Sequence, residues 1–144
     1  MKLLYISISG NTRAFIRRLM DYAQQQTESP VEWRIKEIDD NSIFEEENEP
    51  FVVFVPTYLE GGNGVENGDQ EILTETMREY IDFANNARFC RGVIGSGNKN
   101  FNYQYCLTAK QYAEQFQVPF LADFELRGTT QDIARIYDVL SNLD

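Results

Sequence analysis

The chain has 144 residues, with 23 acidic and 13 basic side chains, so its formal net charge at pH 7 is −10. Apolar residues make up 42% and aromatic residues 13% of the chain, which excludes a disordered chain and predicts a single packed domain over residues 1–144. The negative charge argues against nucleic acid and membranes as partners, and the absence of histidine excludes Ser-His-Asp and Cys-His catalytic groups and His-bearing zinc sites.

The first half of the chain predicts strands and helices in alternation. Residues 2–7 are a short apolar run typical of a buried strand, and from Thr12 the apolar side chains take helical spacing. Apolar and polar side chains alternate over residues 31–36, which predicts an edge strand with one exposed face. The uninterrupted apolar run 51–55 predicts a central strand covered on both faces, and a weaker helical pattern runs over residues 72–83.

The second half continues the alternation. Residues 89–95 and 119–126 predict the fourth and fifth strands, with a helix between them from Leu107 to Phe116. Thr129 and Asp132 have the spacing of a capping box and predict the start of a last helix. Five strands alternating with helices predict an α/β fold with a doubly wound parallel sheet, in which ligands bind beyond the carboxyl ends of the strands.

An acidic segment separates the second and third predicted strands. Seven acidic residues and no basic residue lie between Glu37 and Glu49. The favoured interpretation is a solvated connection, and the alternative is an acidic docking patch.

Neither cysteine suits redox or nucleophilic chemistry. Cys90 and Cys106 do not form a Cys-x-x-Cys dithiol, and neither is followed by arginine at the spacing of a Cys-x5-Arg phosphatase loop. Cys106 lies at a predicted helix start, where the pKa of a thiol can be lowered, but the favoured interpretation of both cysteines is a buried, inert thiol.

No run of about 18 apolar residues is present, and the N-terminus predicts a strand and not a secretory signal. We therefore expect a cytoplasmic protein.

The loop after the first strand, residues 7–12, is a candidate phosphate site. Its hydroxyl and amide side chains precede a helix whose N-terminal N–H groups carry partial positive charge, and Gly10 permits close backbone approach. The Gly-Lys-Ser/Thr ending of a Walker loop is missing, which favours a single terminal phosphate over ATP. A plain N-cap turn remains an equal alternative for this loop. Arg13 at the helix start could add to the phosphate field.

The loops after the third and fourth strands could hold a flat ring. In residues 57–64, glycine-rich backbone can turn toward a ring on which Tyr58 stacks, although a mobile surface loop is an equal alternative. In residues 95–103, Asn98 and Asn100 could satisfy the polar edge of a flavin, and Phe101 or Tyr103 could flank it. The alternative, which we favour less, is a loop whose aromatic side chains anchor it in the core. One phosphate and one ring together suggest flavin mononucleotide (FMN).

Several segments in this order resemble the NrdI family, small flavodoxin-like proteins that accompany class Ib ribonucleotide reductase. The resemblance rests on Ser9-Gly10-Asn11-Thr12, on Val55-Pro56-Thr57-Tyr58 before a glycine-rich loop, on residues 91–101 with Gly-Ser-Gly-Asn-Lys-Asn-Phe, and on Phe124-Glu125-Leu126-Arg127-Gly128-Thr129. It implies a flavodoxin-like five-stranded sheet of order 2-1-3-4-5.

The resemblance also implies a redox role with FMN. Reduced flavin would supply oxidant or electrons to assemble or maintain the dimanganese–tyrosyl radical cofactor of the reductase small subunit, after reduction by a flavin-reducing protein. Alternatives are a general flavodoxin electron carrier and a cofactor-free binding module. The candidate cofactor-binding residues are Ser7, Ser9, Gly10, Asn11, Thr12, Pro56, Thr57, Tyr58, Gly61, Gly62, Asn63, Gly64, Ser96, Gly97, Asn98, Asn100, Phe101 and Tyr103.

The chain departs from the family pattern at two places. The loop after the third strand is longer than the family's short glycine loop and contains Glu60, Glu66 and Asp69. Acidic side chains near the ring would disfavour an anionic reduced flavin and lower its potential. Asn102 stands where the family tends to have glycine.

Overall fold

A computed structural model describes residues 1–26, 32–60 and 69–143. Within these ranges five strands form one sheet in the order β2-β1-β3-β4-β5, and each neighbouring pair is parallel. The strands are β1 (Lys2–Tyr5), β2 (Arg34–Glu37), β3 (Phe51–Pro56), β4 (Cys90–Gly97) and β5 (Phe120–Glu125). The predicted flavodoxin-like class and strand order are confirmed.

Four α-helices in the described residues cover the two faces of the sheet. They are α1 (Asn11–Gln26), α2 (Glu75–Asp82), α3 (Leu107–Phe116) and α4 (Thr130–Ser141), and 3₁₀ turns occupy Phe83–Phe89 and Lys99–Gln104. The apolar stripes of α1 and α4 pack in one core cluster, and those of α2 and α3 pack in a second cluster. The capping box of Thr129 and Asp132 starts α4 as predicted. Among the described residues, we find no helix with the length and hydropathy needed to cross a membrane.

The central position of β3 follows from its sequence. All six of its residues are buried, because β1 and β4 flank it and helices cover both faces. This confirms the interpretation of the uninterrupted apolar run.

The predicted edge strand and the second helix are both shifted. Strand β2 starts at Arg34, and Val31 lies outside the described residues. Trp33 precedes the strand and packs against Tyr137 of α4, with ring centroids 5.7 Å apart. Helix α2 begins only at Glu75, because Leu73 has a φ of 69°, which is incompatible with a right-handed helix.

The favoured interpretation of the acidic segment as a solvated connection is wrong for Glu47. Its side chain is buried and accepts hydrogen bonds from Lys2 Nζ at 2.8 Å, Lys36 Nζ at 3.0 Å and Tyr80 Oη at 2.5 Å. Its backbone N–H donates to Asn86 at 2.8 Å. The carboxylate therefore ties the segment between β2 and β3 to the sheet and to α2.

Candidate functional site

The loops that follow β1, β3 and β4 meet at the carboxyl end of the sheet, as the topology requires. A cavity of about 200 Å³ opens there. The side chains and backbone that line it are Ile8, Ser9, Asn11, Thr12, Pro56, Tyr58, Ser96, Gly97, Asn98, Phe101 and Leu126. Residues separated by more than one hundred positions in the sequence thus form one concave surface.

One end of this cavity presents unpaired backbone N–H groups. In the part of the chain that the structure describes, the N–H groups of Ser9, Gly10, Asn11 and Thr12 donate to no protein acceptor. They lie where α1 begins, and no acidic side chain occupies its first turn. Gly10 has a φ of +94°, a conformation that glycine adopts without strain. This end therefore has the donors and the helix dipole that bind a phosphate group.

The side chains of Ser7 and Arg13 stabilise the loop from outside the cavity. Ser7 Oγ accepts a hydrogen bond from the Arg13 N–H at 3.2 Å. The Arg13 guanidinium forms a two-fold hydrogen bond with Glu37, at 2.9 and 2.7 Å, and these bonds lower the pKa of that carboxyl group. Glu37 neutralises the charge of Arg13. The positive potential at the phosphate end therefore comes mainly from backbone N–H groups, and Arg13 contributes less to it than its position in the sequence suggests.

A second cavity of about 230 Å³ adjoins the first and shares Tyr58, Asn98 and Phe101 with it. Its other lining residues are Thr57, Leu59 and Gln104. Tyr58 stands between the two cavities, and its hydroxyl donates to Ser9 Oγ at 3.0 Å. The β1 loop, with its unpaired N–H groups, lines the first cavity, and Tyr58 and Phe101 line both cavities.

The wall from the β4 loop depends on a side-chain cap. Asn98 Oδ1 accepts a hydrogen bond from the Asn100 N–H at 2.9 Å and starts the 3₁₀ turn of residues 99–104. Within residues 1–26, 32–60 and 69–143 no acceptor pairs with the Asn98 amide nitrogen, so this nitrogen can donate to a ligand. The bond also turns the chain so that Phe101, which is 50% exposed, reaches the mouth of the cavity.

The loop after β3 is closed at its base by a short antiparallel stem, residues 58–60 and 70–72. The Glu60 N–H donates to the Gln70 carbonyl at 2.9 Å, and the Ile72 N–H donates to the Tyr58 carbonyl at 3.0 Å. Leu59 and Glu71 form the bridge pair between them. The stem fixes Tyr58 and Leu59 in the cavity wall.

Glu71 anchors the stem to the helices. Its buried carboxylate accepts hydrogen bonds from Thr74 Oγ1 at 2.5 Å and Tyr112 Oη at 2.6 Å, and it pairs with Arg78 at 2.7 Å. Burial and the neighbouring carboxylate raise the pKa of Tyr112, so the phenol keeps its proton and donates. The stem is thus attached to both α2 and α3.

The structure brings most of the predicted site residues together, with some exceptions. Ser7, Gly10, Asn100 and Tyr103 belong to the three loops but do not line either cavity. The candidates Gly61, Gly62, Asn63 and Gly64 lie outside the described residues.

The cavity lining also includes residues that were not among the candidates: Ile8, Leu59, Gln104 and Leu126. Ile8 and Leu59 lie inside the loops that the sequence singled out. Leu126 was signalled only by its place in the Phe-Glu-Leu-Arg-Gly-Thr segment, and no sequence signal pointed to Gln104.

The two cysteines are buried, free thiols. Burial raises the pKa of Cys90 to about 11 and that of Cys106 to about 12. The interpretation of both as buried thiols is confirmed, and the alternative of a lowered Cys106 pKa is wrong because burial outweighs the position at the helix start.

Comparison with known proteins identifies the family. Residues 3–138 match the family described as NrdI flavodoxin-like. The chain belongs to the NrdI flavodoxin-like family. It is 50% identical to an NrdI-like protein of Streptococcus pneumoniae over 99% of this chain and 94% of that protein. It is 36% identical to the NrdI protein of Bartonella tribocorum over 90% of this chain and 84% of that protein.

Solved structures support the fold of this NrdI-family chain. A short-chain flavodoxin associated with a non-canonical PDU bacterial microcompartment superposes with a TM-score of 0.65 and 18% identity, covering 99% of this chain and 94% of that one. Oxidised flavodoxin 2 of Bacillus cereus superposes with a TM-score of 0.64 and 15% identity, covering 97% of both chains.

Proposed function

We propose that this chain is an FMN-binding redox protein that acts on the small, dimetal subunit of a class Ib ribonucleotide reductase. The observation that carries the proposal is the pair of adjoining cavities, which share Tyr58 and Phe101 and the first of which is also lined by the loop with unpaired N–H groups at the start of α1. Backbone donors in the β1 loop and aromatic side chains in the β3 and β4 loops match a ligand that carries one phosphate and one planar ring.

The phosphate would be held by backbone groups. The N–H groups of residues 9–12 supply donors, and the N-terminus of α1 supplies a partial positive charge against the negative field of the whole molecule. The hydroxyl groups of Ser9 and Thr12 line the same end. Among the residues that the structure describes, no lysine lines either cavity, which agrees with a terminal monophosphate and not with a triphosphate.

The ring would lie between the β3 and β4 loops. Three apolar side chains at the mouth of the first cavity are partly exposed: Ile8 at 41%, Phe101 at 50% and Leu126 at 50%. Exposed apolar side chains around a cavity indicate a surface that a ligand or partner covers. Tyr58 and Phe101 would flank the ring, and the amide nitrogen of Asn98 and the Gln104 side chain would reach its polar edge.

The chain itself would bind, orient and shield the cofactor. Bound and reduced, FMN would supply the electrons that convert O₂ into the oxidant for assembly of the dimanganese–tyrosyl radical cofactor. Both curated relatives carry the NrdI name, which supports ribonucleotide reductase as the system served. A flavin-reducing protein would be the second partner, and the cytoplasm the compartment.

Flavin content is tested first. We expect the purified protein to be yellow, and the supernatant after denaturation to contain FMN at about one equivalent. A colourless protein that also fails to bind added FMN would refute the proposal.

The variant Gly10→Leu tests the phosphate end of the site. We expect this variant to fold but to purify largely without FMN. Stoichiometric FMN in the purified variant would place the phosphate elsewhere.

The role in cofactor assembly is tested separately. The reduced protein is mixed with manganese-loaded small subunit and O₂, and the tyrosyl radical is measured by electron paramagnetic resonance. We expect radical above a control without the protein. Normal electron transfer to unrelated acceptors without any radical would instead support a general flavodoxin electron carrier.

A further inference from the structure

Asp69 connects two of the three site loops. Its Oδ1 accepts hydrogen bonds from Tyr103 Oη at 2.9 Å and from Gln104 Nε2 at 3.0 Å. Its backbone carbonyl accepts a third hydrogen bond from Gln111 Nε2 of α3 at 3.3 Å. Asp69 directly precedes the stem strand 70–72, so one side chain joins the β3 loop to the end of the 3₁₀ turn of residues 99–104.

That turn contains a conformation that needs external support. Asn102 has a φ of 55° and a ψ of −120°, a region that costs a residue with a Cβ free energy and favours glycine. Strain of this kind persists only where the surrounding contacts hold the backbone in place. The turn is held at its start by Asn98 and by Glu125, whose Oε2 accepts from the Lys99 N–H at 3.0 Å.

At the far end of the turn, Asp69 accepts hydrogen bonds from two neighbouring side chains. Both side chains that donate to its carboxylate follow the strained residue directly, at positions 103 and 104. Gln104 is 2% exposed and lines the second cavity, whereas Tyr103 is 53% exposed and lines neither. The contact with Asp69 therefore ties an exposed tyrosine outside the cavities to the base of the β3 loop.

We propose that Asp69 is a positioning residue whose carboxylate latches the turn of residues 99–104 onto the stem and thereby sets the wall that faces the flavin ring. The inference rests on the proposed function, since the ligand it concerns is FMN. The latch holds Phe101 and Gln104 at the cavity against the strain at Asn102, so the site is formed before the ligand arrives. A preorganised site loses less free energy on binding than one that must order itself.

Variants separate the hydrogen bonds of the latch from its charge. Asp69→Ala removes the acceptor and the charge, whereas Asp69→Asn keeps an acceptor oxygen and removes only the charge. Asp21→Ala is the matched control, because it removes an exposed carboxylate from α1 with the same change in net charge. Loss of two net hydrogen bonds predicts about tenfold weaker FMN binding for Asp69→Ala, and binding within about twofold of wild type for Asp69→Asn and Asp21→Ala.

Relief of the strain provides a rescue. We expect Asn102→Gly to bind FMN at least as tightly as wild type, and Asp69→Ala/Asn102→Gly to recover most of the affinity lost by Asp69→Ala. Affinity is measured by quenching of FMN fluorescence. Wild-type affinity in Asp69→Ala, equal weakening in Asp69→Asn, or no recovery in the double variant would each overturn the latch.

Hydrogen exchange of the protein without FMN gives a second readout. The Tyr105 N–H donates to the Asn102 carbonyl at 3.0 Å, so this amide reports on the turn. We expect it to exchange faster in Asp69→Ala than in Asp69→Asn or Asp21→Ala, and equal rates would refute the latch. If wild type binds no FMN, the proposed function fails while this measurement still decides whether Asp69 holds the turn.

Discussion

Gly128 offers the sharpest test of the packing beneath the site. It follows β5 with a φ of +76°, and a Cβ added there would lie 2.6 Å from Cδ2 and 2.8 Å from Cε2 of Phe15. Phe15 is fully buried and stacks on Phe124 with ring centroids 3.9 Å apart and planes 8° apart. Gly128→Ala must therefore strain its own backbone and also displace a fully buried ring that is stacked on Phe124.

The cost can be estimated from these two effects. A positive φ costs a residue with a Cβ about 1–2 kcal/mol, and overpacking a well-filled core costs about 1–3 kcal/mol. We expect Gly128→Ala to lower the free energy of unfolding by about 2–5 kcal/mol. At about 2–4 °C per kcal/mol for a chain of this size, Tm should fall by about 4–20 °C.

Gly10→Ala is the matched control. Gly10 also has a positive φ, of +94°, but an added Cβ there would meet no atom within 4 Å. It should cost only the backbone strain, about 1–2 kcal/mol. Urea unfolding of both variants without FMN, followed by far-UV circular dichroism, gives the comparison. If Gly128→Ala is no less stable than Gly10→Ala, the contact with Phe15 does not limit the core.

Three further predictions follow from ionisable groups. Hydrogen bonds to buried Glu47 outweigh the effect of its burial and lower its pKa, so its stabilisation is present above the unfolded value of about 4.3 and is lost as pH falls through the folded value. Glu47→Gln should cost about 1.5–3 kcal/mol near neutral pH and flatten the fall in stability toward acid pH in urea titrations; an unchanged slope would contradict the role of Glu47. Cys90 and Cys106 should resist iodoacetamide at about pH 8 and react in urea, because the native pKa values leave almost no thiolate; mass spectrometry that finds native modification would show that the core opens. Glu60→Gln should raise the one-electron potential of bound FMN by roughly 20 mV, the effect of one unit charge about 10 Å away in a water-like dielectric, whereas Glu114→Gln on α3 should leave the potential unchanged; an equal shift in both variants would place Glu60 far from the ring.

The sequence was sufficient for the architecture because the relevant signals are local. The apolar run of β3 and the helical stripe of α1 each appear within a short window, and strands that alternate with helices admit few topologies. Three loops follow the carboxyl ends of neighbouring parallel strands and therefore meet at one site. Ten of the candidate residues line one or both of the cavities there.

The remaining features depend on contacts that are distant in sequence. Glu47 is paired with Lys2, 45 positions away, and nothing near Glu47 in the sequence distinguishes it from its exposed acidic neighbours. Gln104, which lines the second cavity, donates a hydrogen bond to Asp69, 35 positions away. Asn102 departs from the family pattern, which tends to have glycine at this position. Its positive φ, however, depends on the fold of the surrounding turn and could not be predicted from the sequence.

The stem beneath the β3 loop has a consequence for evolution and for engineering. Because the Glu60 N–H donates to the Gln70 carbonyl, the stem holds the two ends of the loop side by side, and we expect Tyr58 to keep its position when the number of residues between 60 and 69 changes. Because the entropy cost of closing a loop grows slowly with its length, we expect homologues to differ in the number of residues at this place. An epitope or a reporter inserted there should leave the free energy of unfolding nearly unchanged, and a loss of FMN binding in that variant would support the candidates at positions 61–64.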